Sequence, residues 1–204
     1  MANGQKVAAI QAISTSMITF VLSEIYGVTP ELIALCRQLP GQVIPLSPYE
    51  DDKLIFDDEQ QAYQYFVTHV GVEGYSDKLR AAIDGYSCDG EARSVNLIGF
   101  SVGASAVWHY GLNNPPDSIA NATLFYGSQI RKLSGEAPIF PCKLVMPSYE
   151  EHFDVTALAE QLAKFSNVVV ENSVYLHGFM NKRSANYNEQ GFRYYLALLT
   201  RYAL

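Results

Sequence analysis

Residues 94–110 read SVNLIGFSVGASAVWHY, and this stretch decides the fold. Its first part, 94–99, is a short apolar run of the kind that forms a strand buried on both faces. Its last part, 102–110, reads as a helix that begins at once. Between them, Gly99-Phe100-Ser101-Val102-Gly103 matches G-x-S-x-G in the strand-then-helix context the motif requires. A tight strand-to-helix turn leaves no room for side chains two residues either side of the serine, and Gly99 and Gly103 supply that room. The Ser101 hydroxyl then projects from the carboxyl edge of a sheet. The Val102 N–H lies at a helix start, where it has no carbonyl to bond and is available to an oxyanion.

Outward from this turn, strands and helices alternate. Upstream, residues 17–23 (MITFVLS) predict a buried strand. Thr29-Pro30-Glu31 predicts a helix start with a cap, a proline at the first position and an acid in the first turn. Leu32, Ile33, Leu35, Cys36 and Leu39 share a face of that helix, Gly41 ends it, and residues 42–46 (QVIPL) predict the next strand. Residues 51–58 are acidic and read as a loop. Helices are expected around 59–69 and over 76–86, the second capped by Ser76. Downstream, strands are expected at 122–126, 143–146 and within 167–175, and helices at 154–164 and 188–202. This alternation predicts an α/β fold, a mostly parallel sheet with helices on both faces and no large cap, as one domain over residues 1–204.

Composition narrows the function classes. The chain has 204 residues, 49% apolar and 17% charged, and a formal net charge of −7. That suits one sizeable core and argues against disorder. No stretch gathers Lys and Arg, so neither nucleic acid nor an anionic membrane surface is an expected partner. Cys36, Cys88 and Cys142 are odd in number and widely spaced, which predicts free thiols in a reducing cytoplasm. Residues 7–22 are fairly apolar, but Gln11, Ser14, Thr15, Ser16 and Thr19 make them too polar for a membrane span. They read as two short strands. No phosphate-binding glycine motif and no zinc-ligand spacing is present, and no metal or organic cofactor is implied. Oligomeric state is open between a monomer and a small homo-oligomer.

A serine hydroxyl needs a base to act as a nucleophile near neutral pH. Of the four histidines, His69 and His109 fall inside helices and His152 follows an acidic pair. His177 follows the last expected strand, which is its place when the chain order is nucleophile, acid, histidine. The acid is then expected just beyond the strand 143–146, where Glu150, Glu151 and Asp154 lie. Glu151, five residues past Met146, is favoured. Asp154 is the alternative acid and also suits a helix N-cap.

Taken together, these segments resemble the dienelactone hydrolase family of the α/β-hydrolase superfamily. Ser23-Glu24-Ile25-Tyr26-Gly27 is similar to the family's E-[IV]-[FY]-G strand end. Pro48-Tyr49 is similar to its P-x-L-Y region, and the Ser101 turn to its nucleophile elbow. His177-Gly178-Phe179, followed by Arg183, Asn186 and Tyr187, looks like its H-G-F loop. The resemblance implies that Glu24 lies beside the nucleophile and that the Ile25 N–H is a second oxyanion donor. It implies that Glu151, in Glu151-His152-Phe153, is the acid, and that Tyr63 contacts substrate. The chain departs from the family at three points: Ser101 stands where the founding enzymes have Cys, Glu151 where they have Asp, and Glu59 where they have Arg. Arg183 is the candidate to replace that lost cation.

The expected function is a serine hydrolase cleaving a small ester, lactone or thioester through an acyl-enzyme. The competing expectation is a catalytically silent protein of the same fold that binds a small ligand in the same cleft.

Overall fold

The computed structural model describes residues 17–50, 54–56, 58–87, 94–113, 115 and 117–202. The expected strand within 7–16 and Cys88 lie outside these residues, as does half of the expected loop over 51–58.

Six strands form one sheet: β1 (Met17–Leu22), β2 (Gln42–Leu46), β3 (Ser94–Phe100), β4 (Ile119–Phe125), β5 (Cys142–Met146) and β6 (Val168–Asn172). Their spatial order is β2-β1-β3-β4-β5-β6, and every neighbouring pair is parallel. Helices α1 (Pro30–Cys36), α2 (Glu59–His69), α3 (Gly71–Ser87), α4 (Val102–Leu112), α5 (Val155–Leu162) and α6 (Glu189–Tyr202) make the crossovers and close the chain. The α/β class, the parallel sheet and the helices on both faces are as the sequence predicts. Among the described residues no helix is long and apolar enough to cross a membrane.

Two-residue alternation divides the core between the faces. On one face Ile18, Phe20 and Leu22 of β1, Leu97 of β3 and Leu144 of β5 pack with Leu79 and Ile83 of α3, Trp108 of α4 and Leu162 of α5. Val21, Ile98, Phe100 and Val145 point the other way, toward Leu35 and Cys36 of α1 and Phe192, Tyr195 and Leu199 of α6. Cys36 and Cys142 are buried free thiols in these layers. Trp108 is fully enclosed, and its indole N–H has no partner among the described residues.

Local chemistry accounts for the helix starts. Thr29 Oγ1 accepts from Leu32 N at 3.2 Å, and Asp58 Oδ1 from Gln61 N at 2.7 Å. Ser76 is not a cap. The helix begins five residues earlier at Gly71, in a left-handed conformation (φ +66°) after α2, and Ser76 is buried within it. A short 3-10 helix, η1 (Ser128–Lys132), follows β4 and was not anticipated.

Strand order fixes where a site can form. The chain runs outward from β1 to β2, then returns across β1 to β3 and continues to β6. At that reversal the carboxyl ends of β1 and β3 open a crevice between diverging crossovers. Residues 23–25 follow β1 there, and Ser101 follows β3.

Candidate active site

Ser101 occupies a conformation an L-residue rarely adopts, φ 53° and ψ −112°. The turn is held by Ser101 N donating to Phe125 O at 3.0 Å. Both flanking glycines are sterically required. A Cβ on Gly99 would lie 2.6 Å from Ala104 Cα, and one on Gly103 would lie 2.6 Å from Ser23 O. The α4 start therefore rests directly on the end of β1.

His177 Nε2 lies 2.9 Å from Ser101 Oγ. Its other nitrogen, Nδ1, lies 2.6 Å from Glu150 Oε1. The structure thus brings Ser101 and His177 together as the sequence predicts, but seats Glu150 rather than Glu151 on the imidazole. Backbone geometry explains the difference. Ser148 N donates to Tyr175 O at 2.7 Å, tying the segment after β5 to the loop that carries His177. Two residues on, Glu150 turns inward, its side chain only 14% exposed, while Glu151 turns out to solvent. The alternative acid, Asp154, is the N-cap of α5, where its Oδ1 accepts from Ala157 N at 3.0 Å.

The His177 loop is itself anchored. Asn186 Nδ2 donates to His177 O at 3.0 Å, Gly178 takes a left-handed turn at φ +83°, and Phe179 is fully buried among aromatic rings. Burial alone would make the imidazole harder to protonate. The hydrogen bond and charge of Glu150, with Glu24 and Glu59 farther off, outweigh it, so the His177 pKa stands above its ordinary value.

Glu24 lies beneath this array. Its Oε1 accepts from Tyr126 OH and its Oε2 from Asn181 Nδ2, both at 2.7 Å. Enclosure raises its pKa, although those two hydrogen bonds and His177 pull the other way. Tyr126 is the other non-glycine residue with positive φ (40°) among those described, and its ring centroid lies 4.8 Å from that of His177. The space behind Glu24 is small, about 30 Å³, room for water rather than a substrate.

In front of Ser101 a cleft of about 550 Å³ opens. Ile25 and Val102 both border it. Tyr49 OH donates to Ile25 O at 2.6 Å, which fixes the β1 loop in place. Val102 is the first residue of α4, so its N–H faces no carbonyl one turn back. Tyr63 and Glu59 of α2 line the cleft, and the Tyr63 hydroxyl accepts from Gln129 Nε2 at 2.7 Å. Arg183 does not line it. Its guanidinium lies over the Tyr26 ring, 4.8 Å from the centroid. The cation that does line it is Arg131 of η1, with Phe153 beside it. Sequence reasoning missed Arg131 because a single 3-10 turn carries no periodic signal, and missed Tyr126 and Asn181 because only the fold brings them to Glu24. His69 stacks on Tyr65 in α2 and His109 is in α4, away from this cleft.

No family model matches the chain. The uncharacterized protein YczH of Bacillus subtilis (strain 168) is 28% identical over 180 residues, covering 83% of each chain. Solved structures share the architecture at low identity. A dienelactone hydrolase from Anabaena variabilis is 14% identical, covers 93% of this chain and 86% of its own, and gives a TM-score of 0.61. The dienelactone hydrolase-like promiscuous phosphotriesterase P91 from metagenomic libraries is 12% identical, with 92% and 84% covered and a TM-score of 0.63. Est1E from Butyrivibrio proteoclasticus is 10% identical, with 91% and 86% covered and a TM-score of 0.58. These likenesses identify the architecture as the α/β-hydrolase fold.

Proposed function

We propose that this chain is a serine hydrolase of the dienelactone hydrolase type, acting on a small ester, lactone or thioester through an acyl-enzyme. One observation carries the reading: an unbroken hydrogen-bonded chain from Glu150 through His177 to Ser101 at the floor of a cleft. The names of the solved neighbours, a dienelactone hydrolase among them, support the same class of chemistry.

In this reading Ser101 Oγ attacks the substrate carbonyl carbon while its proton passes to His177 Nε2. Glu150 accepts from His177 Nδ1, holds the ring and stabilises the imidazolium. The tetrahedral oxyanion takes hydrogen bonds from the Val102 and Ile25 N–H groups. Its collapse breaks the acyl–oxygen or acyl–sulfur bond, and His177 returns the proton to the leaving group. Water, activated by the same imidazole, then releases the acid and regenerates Ser101.

A fluorophosphonate probe tests this reading. It should add to the peptide containing Ser101, and Ser101→Ala should abolish both labelling and ester turnover. Turnover surviving in Ser101→Ala would sink the assignment. A folded wild-type protein that neither labels nor turns over would favour the silent ligand-binding alternative.

A further inference from the structure

Helix α2 borders two hollows in succession. Glu59 and Tyr63 line the cleft in front of Ser101, and Phe66 and Val67, one turn farther along, line a second hollow of about 330 Å³. The spacing i, i+4, i+7, i+8 keeps these residues on one side of the helix. The segment of η1 borders both spaces as well. Ser128 and Arg131 line the cleft, whereas Gln129, Lys132 and the next residue, Leu133, line the second hollow. At the boundary Gln129 Nε2 donates to the Tyr63 hydroxyl at 2.7 Å. One hydrogen bond from η1 to α2 therefore joins a residue of one hollow to a residue of the other.

That bond can open from one end. Gln129 is buried, whereas Tyr63 is 43% exposed, and among the described residues the Tyr63 hydroxyl has no second partner. A rotamer change at Tyr63 costs about one hydrogen bond and sends the ring toward solvent. The hollow beyond is mostly apolar, with Val72 of α3 lining it beside Phe66, Val67 and Leu133. Its polar residues besides Gln129 are His109, Glu73 and Lys132; the last two are exposed, so their charged ends stay in water. Val67 is 49% exposed, apolar surface that an apolar chain laid in the hollow would cover.

We propose that this second hollow is an acyl-tail subsite, taking the far end of an unbranched apolar acyl group whose carbonyl lies at Ser101, and that the Tyr63–Gln129 hydrogen bond is the gate that limits entry. This rests on the serine-hydrolase reading above. An acyl group short enough for the cleft leaves the gate closed. A longer one displaces the Tyr63 ring and gains by covering Val67, Val72 and Leu133. Tyr63 and Gln129 take no part in proton transfer; they set which acyl lengths are turned over.

The test is the ratio of kcat/KM for p-nitrophenyl decanoate over p-nitrophenyl butanoate, a ratio independent of the fraction of active enzyme. Tyr63→Phe should raise it about fivefold, the value of one net hydrogen bond no longer broken on entry. Gln129→Leu, which removes the same bond from its other end, should do the same. Adding Val67→Trp to Tyr63→Phe fills the hollow and should cancel the gain. Adding Thr68→Trp instead, exposed on α2 and outside the hollow, should leave the gain in place. A ratio that Tyr63→Phe does not raise, or a rise that Val67→Trp does not cancel, overturns the proposal. If no ester is hydrolysed and Ser101 does not label, the hydrolase reading has failed instead. Calorimetry with decanoate, below its micelle-forming concentration, then judges the hollow alone. Binding that tightens in Tyr63→Phe and is lost on adding Val67→Trp supports it, and binding that is absent or insensitive to both substitutions overturns it.

Discussion

The carboxylate on the Nδ1 edge of His177 is that of Glu150, and a single residue step separates it from Glu151, which faces solvent. Glu150→Gln keeps the shape but loses the charge, and should lower ester turnover by on the order of 10⁴-fold. Glu151→Gln, pointing to solvent, should stay within about twofold of wild type. Steady-state kinetics on the two variants distinguishes them directly. The pH profile carries a second signature. In the proposed reaction His177 must be neutral to accept the Ser101 proton, and its pKa stands above the ordinary value of about 6.5. Wild-type kcat/KM should therefore rise with pH through an inflection above about 6.5, and Glu150→Gln should move that inflection down. The sign for stability is opposite: the charged imidazole's contribution is present at low pH and is lost as pH rises through the same raised value. Ser101 and His177 were legible in the sequence because a motif and a chain order single them out. The acid was not, because three carboxylates lie within five residues and only the loop pairing at Ser148 decides which faces inward.

At the scale of elements, the site depends on helix starts. Gly103 lets α4 sit against the carbonyls of Leu22 and Ser23. Gly103→Ala should push that helix off β1 and lower stability by about 1–3 kcal/mol, a cost typical of an overpacked contact. For a chain of this length that is roughly 2–4 °C of melting temperature per kcal/mol. Chemical denaturation measures it. Asp154→Ala removes the α5 cap and should cost about 0.5–2 kcal/mol while turnover persists, the reverse of the pattern at Glu150. Caps such as Thr29 and Asp154 were readable because their chemistry is local to three or four residues. The start of α3 was not, because Gly71 and Gly74 read as loop and only packing against β1 and α4 makes that segment helical. The turn η1 escaped for a related reason: five residues with no apolar period look like any connection.

The whole molecule supplies what no local pattern contains. Glu24, Tyr126 and Asn181 are 102 and 157 residues apart in the chain, yet share one hydrogen-bonded group because strand order brings β1, β4 and the last loop to one edge. The parallel sheet was legible from alternation alone, whereas this cluster required the three-dimensional arrangement. One consequence of the packing is optical. Trp108 is the chain's single tryptophan, seven residues and roughly 10 Å along α4 from Ser101, with its indole sealed from water. Its emission should be blue-shifted in the native protein and move to the red only when the layer between α4 and the sheet opens. An unfolding curve followed by this fluorescence therefore reports on the helix that begins directly after Ser101. If it coincides with the curve from circular dichroism, the site and the sheet are lost in one step. If it runs ahead, the helix behind the serine loosens while the strands still hold, and inactivation by heat would precede melting.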